Sequence, residues 1–115
     1  METAKGYVVE ITPQAERFFF ELLDYIFSTH HPDSASRKAD EILALAISLK
    51  HTPYRGTLEP RLELLGKGHR FLLYEITRGK EVKIIYFVDE DSHKVFVTDF
   101  FGTRQDAEKL SLRTK

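Results

Sequence analysis

The stretch that most constrains this chain is residues 12–28, because it is too apolar for a helix with a single neighbour. Thr12 offers a side-chain cap, and Pro13 suits the first helical position, where a missing N–H costs nothing. Ala15, Phe19, Leu22 and Ile26 then recur at the spacing of one buried stripe, while Phe20, Leu23 and Phe27 form a second stripe beside it. One helix face cannot hold both sets. The helix is therefore buried on two sides, or its second stripe is left for a partner.

The next segment supplies one of those sides. His30-His31-Pro32-Asp33-Ser34 breaks the helix, and Asp33 or Ser34 can cap a second one. Ala35, Ala39, Ile42, Ala46 and Leu49 keep helical spacing to about Lys50, with alanines early enough for close antiparallel packing as a hairpin. His51-Thr52-Pro53-Tyr54-Arg55-Gly56 ends it. Before the helices, residues 7–11 read as a short strand. After them the pattern is strand-like: residues 61–65 as a short extended piece, then 69–77, 81–88 and 94–101, joined by turns short enough for antiparallel hairpins. The polar tail carries one helical turn around residues 107–110. Strand, two helices and then a meander of three or four strands make an α+β single domain over residues 1–115, with the helices on one sheet face and the other face partly open.

Composition narrows the chemistry. No cysteine is present, so disulfides and thiolate chemistry are excluded, and the net charge of −1 means that a polyanion would need a local cationic cluster. No apolar run is long enough to span a membrane, and the first residues lack a signal-peptide pattern, so the expectation is a cytoplasmic protein without membrane contact. No dinucleotide fingerprint or phosphate loop is visible, so no cofactor is expected. His30-His31 lacks a third ligand, and Asp89-Glu90-Asp91 lacks calcium-loop spacing, so no metal is expected either.

Several segments taken in order resemble the RelE/ParE superfamily of toxins. Gly6-Tyr7-Val8-Val9-Glu10-Ile11-Thr12-Pro13-Gln14-Ala15-Glu16 is similar to its opening strand and "tP.Ae" helix start, and Leu23-Asp24-Tyr25-Ile26 to its "yDYI" segment. Pro32-Asp33-Ser34-Ala35 and the run from Leu49 to Gly56 fit the second helix's start and exit. Glu81-Val82-Lys83-Ile84-Ile85-Tyr86 resembles the "yRiiY" strand, and Phe100-Phe101-Gly102-Thr103-Arg104-Gln105-Asp106 the closing segment. The resemblance spans about residues 6–110. It implies a small antiparallel sheet carrying a helical hairpin, plasmid-stabilisation-type growth inhibition, and neutralisation by a cognate antitoxin. It implies either of two targets, DNA gyrase for ParE-like members or ribosome-bound mRNA for RelE-like ones.

Cutting RNA requires a base, an acid and cations that stabilise a pentacovalent phosphorane. The resemblance places Lys83 at the strand cation and Arg104 at the second cationic position. Arg70 begins the preceding strand and would join them if the hairpins pair in simple register. Lysine keeps the charge of arginine but loses its planar fork. After Arg104 the chain runs Gln105-Asp106-Ala107-Glu108-Lys109-Leu110, without the late Tyr or His used by mRNA-cutting members. Asp106 and Glu108 add negative charge where phosphate would lie. Tyr86 points away from Lys83 by strand alternation and is expected in the core. The pattern leans towards a ParE-like toxin without enzymatic activity. The alternatives are an endoribonuclease acting through Lys83, Arg104 and Arg70, or a degenerate member that only binds its antitoxin. Phe20, Leu23 and Phe27 are the expected surface for that antitoxin or for a second copy of the chain.

Overall fold

The computed structural model describes residues 6–105 and 108–114. Strand β1 (Val8–Ile11) leads into α1 (Pro13–Thr29) and α2 (Pro32–Ile47), and a 3-10 turn (Ser48–Lys50) continues α2. A two-residue strand β2 (Thr57–Leu58) and a 3-10 helix (Pro60–Leu65) precede β3 (Arg70–Thr77), β4 (Lys80–Asp89) and β5 (Lys94–Gly102). A short helix α3 (Lys109–Arg113) closes the described chain. No helix among the described residues is long and apolar enough to cross a membrane.

The sheet order is β1-β5-β4-β3-β2. The meander β3–β4–β5 is antiparallel, as its short turns require, and Gly79 takes the positive φ of 77° that the β3–β4 turn needs. β1, however, lies parallel to β5, pairing Val8 with Lys94 and Ile11 with Val97, so the five-stranded sheet is mixed rather than antiparallel throughout. The hairpin α1–α2 fills the crossover that a parallel neighbour demands.

Local signals account for the helix starts. The Thr12 hydroxyl accepts from the Ala15 N–H at 3.1 Å. α2 is capped by His31, whose Nδ1 accepts from the Asp33 N–H at 3.3 Å, rather than by Asp33 or Ser34, and Pro32 takes the first helical position. Ala15, Phe19, Leu22 and Ile26 of α1, with Ala35, Ile42 and Ala46 of α2, pack on Val82, Ile84 and Tyr86 of β4 and Val95 and Val97 of β5. Alternation thus sends even positions of β4 towards the helices. Tyr86 is fully buried, and its hydroxyl accepts from the Gly56 N–H at 3.0 Å. A Cβ on Gly56 would lie 2.6 Å from that hydroxyl, so glycine here is a condition of close approach.

The opposite sheet face is more closed than the sequence pattern indicates. Residues 61–65 are not extended; they lie in the 3-10 helix, which presses Leu62 onto Ile85 and Phe101. Leu110 of α3 completes this smaller cluster. The expected helical turn runs later than the pattern indicates, at Lys109–Arg113, and Asp106 and Ala107 lie outside the described residues. In the β4–β5 ladder, Ile85 pairs with Asp99 but Tyr86 with Val97, so Thr98 is an extra residue on β5. That bulge turns Asp99 onto the outer face while leaving Val97 and Phe100 in the helix-side core.

Candidate functional site

Each cation expected to carry chemistry has a defined place. Lys83 projects from the outer face of β4, where its Nζ lies 2.8 Å from Glu59 Oε1 and 4.3 Å from the centre of the Phe71 ring. Glu59 is only 2% exposed, and its second oxygen accepts from the Arg61 N–H at 3.1 Å, capping the 3-10 helix. A carboxylate so deeply placed needs its counter-ion, which fixes Lys83 as a packing element of the outer layer.

Arg70 faces the helix side of the sheet, paired in register with Tyr86. Its Nη1 donates to the carbonyls of Gly56 at 2.8 Å and Tyr54 at 3.2 Å, holding the loop between α2 and β2. Arg104 follows β5 and lays its guanidinium 4.1 Å from the centre of the Tyr25 ring on α1. Lys83 and Arg70 therefore occupy opposite faces of the sheet, and Arg104 lies past the end of β5, against α1. The β3–β4 register is regular from Arg70 to Glu75 and shifts only between Glu75 and Thr77, but Lys83 pairs with Leu73, three residues along β3 from Arg70, so alternation puts the two cations on opposite faces. The three cations are not brought together on one concave surface. Stabilising a phosphorane requires converging donors, and this placement does not converge them.

Around Arg104 lies a hollow of about 210 Å³ whose polar lining includes Glu21, Gln105 and Arg113. Arg113 is committed elsewhere: its Nη2 donates to Asp99 Oδ1 at 2.6 Å, its Nη1 to Gln105 at 2.8 Å, and its guanidinium lies 3.7 Å from the Phe18 ring centre. Asp99 is fully buried, and burial pushes its carboxyl up to about 6 against the opposing pull of Arg113. Neither residue stands out in the sequence, because the pairing needs α3 folded back onto β5.

No protein-family model, curated protein or solved structure matches the chain.

The patch expected to meet a partner remains on the surface. Phe20 is 57% exposed and Phe27 46%, while Leu23 is half-buried and rests on the core. Ile47 of α2, 47% exposed, extends the patch across the hairpin. Phe20 and Ile47 border an apolar cleft of about 390 Å³ in which Glu16 is the only charged lining residue among the described residues. The second stripe of α1 is thus only partly covered by α2.

Two further features escaped the sequence pattern. Glu90, in the β4–β5 turn, accepts from the Tyr7 hydroxyl at 2.9 Å and from the Tyr54 hydroxyl, tying the start of β1 to the loop after α2. These hydrogen bonds hold the Glu90 carboxyl below its ordinary range and push Tyr54 up to about 12. The other is a groove of about 530 Å³ on the outer face, between the start of α1 and the residues before β3. His69 lines it and is 3% exposed, although on sequence it is merely one of several histidines at element ends.

Proposed function

We propose that this chain is the growth-inhibiting component of a toxin–antitoxin pair, acting by binding a protein target, with DNA gyrase as the first candidate, rather than by cutting RNA. The observation that carries the second half of this reading is the separation of the three cations. Lys83 neutralises a buried carboxylate, Arg70 holds backbone carbonyls on the opposite sheet face, and Arg104 is stacked on a tyrosine. The toxin role itself rests on the ordered resemblance in sequence, and the strand, helical hairpin and meander are compatible with it.

The antitoxin is assigned to the patch of Phe20, Leu23 and Phe27. Two half-exposed phenylalanines beside an apolar cleft form a surface whose burial would be worth about 25 cal/mol per Å². Expression from a tightly controlled promoter, with separate pulse-labelling of DNA and protein synthesis, tests the proposal. It expects DNA synthesis to fail first. Early loss of translation with cleaved messages would establish the interferase alternative, and unimpaired growth the degenerate one.

A further inference from the structure

The groove on the outer sheet face has features that neither the core nor the growth-inhibition reading uses. Its apolar lining includes Phe87 and Phe96, stacked with ring centres 5.3 Å apart. Arg17 of α1 and Lys67 before β3 both line it and are exposed, and no acidic side chain is among its described lining residues. Lys67 Nζ lies 5.1 Å from the Phe87 ring centre, and neither cation forms an ion pair with a described residue. His69 packs edge-on to Phe87 at 5.2 Å, and its buried Nδ1 has no hydrogen-bond partner among the described residues. Gln14, also lining the groove, lies in the first turn of α1, where a backbone N–H has no intrahelical acceptor.

We propose that this groove is a binding site for an acidic peptide segment that carries an aromatic side chain. An aromatic ring would stack on Phe87 and Phe96, and flanking carboxylates would meet Arg17 and Lys67. A nucleic acid is the rival occupant, and the charges on this face disfavour it. Tracking a phosphate backbone takes a continuous line of free cations. Beyond Arg17 and Lys67, three other cations of this face are committed to carboxylates: Lys94 to Glu10 at 3.1 Å, Lys83 to Glu59 at 2.8 Å, and Arg113 to Asp99 at 2.6 Å. Two free cations suit a short acidic peptide better than a polynucleotide.

The chain contains no tryptophan, so a peptide's single tryptophan reports its own environment. The probe is a synthetic peptide of aspartate, glutamate and glycine around one tryptophan, titrated with the intact protein. A saturable blue shift of emission is expected, weakening as salt is raised. The double variant Arg17→Glu, Lys67→Glu should bind about tenfold more weakly with an unchanged melting temperature, since both positions are exposed. Phe96→Ala should weaken binding similarly; if it melts early, the charge variant decides alone. Absence of a saturable shift would overturn the proposal. So would equal binding of a peptide with lysine in place of the acids, undiminished binding by the charge variant, or tighter binding of single-stranded oligouridylate than of the acidic peptide.

Discussion

Replacing Asp99 by asparagine should alter the pH dependence of stability in a calculable way. The carboxyl is fully buried, and desolvation raises it from 3.8 to about 6 even with Arg113 at 2.6 Å. The folded state therefore holds this proton more tightly than the unfolded chain does. The corresponding stabilisation is complete below pH 3.8 and is lost as the pH rises through about 6. The difference between the two values corresponds to about 3 kcal/mol. Glu90 acts in the opposite direction: its carboxyl is lowered by Tyr54 and Tyr7, so its contribution is present above its ordinary value of 4.5 and lost on acidification through the depressed one. Both proteins share that term, so it cancels in their difference. Urea unfolding of the wild type and Asp99→Asn at pH 4 and pH 7 isolates the Asp99 contribution. The wild type should gain about 2 kcal/mol relative to the variant on going from pH 7 to pH 4, most of the full difference, because the unfolded carboxyl is itself partly protonated at pH 4. Parallel pH profiles, or a relative gain towards pH 7, would mean that burial does not govern this carboxyl.

Other substitutions test the packing that fixes the site. Lys83→Met leaves the Glu59 carboxylate buried without its cation and should cost about 3–5 kcal/mol in urea unfolding, with much of the loss recovered when Glu59→Gln is added. Gly56→Ala drives a methyl group against the Tyr86 hydroxyl at 2.6 Å and the Phe71 carbonyl at 2.7 Å, and should cost about 1–3 kcal/mol, read as a lower melting temperature. Tyr86→Phe strands the Gly56 N–H and should cost about 1–3 kcal/mol. Phe20→Ser with Phe27→Ser should leave unfolding nearly unchanged and, under the proposed toxin role, abolish neutralisation by a co-expressed antitoxin. Intact neutralisation would rule that surface out as the antitoxin's seat.

Legibility in the sequence divides along the line between local and distant interactions. The start of α1 is legible because Thr12 and Pro13 act within one turn, and the half-exposed second stripe emerges from helical periodicity alone. Residues 61–65 read as extended because five residues between a proline and a glycine carry too little periodicity. Only Leu62, 1% exposed beside a fully exposed Leu64, reveals the helical face. The parallel pairing of β1 with β5 joins segments more than 80 residues apart, and no local pattern encodes it. The cations are harder still. Lys83 and Arg104 are visible as cations in the sequence, but their surroundings come from Glu59 in a loop and Tyr25 on a helix. Charge type is visible in the sequence, and the partner of each charge is not.

The proposal that the chain inhibits growth without cutting RNA requires these cations to serve packing. The decisive measurement is the ratio of DNA to protein synthesis after induction of the wild type and of Arg104→Ala, a substitution at an exposed position, at matched protein levels. DNA synthesis should fall first in both. Early translational arrest in the wild type, abolished by Arg104→Ala at equal protein level, would show instead that the cations cut RNA.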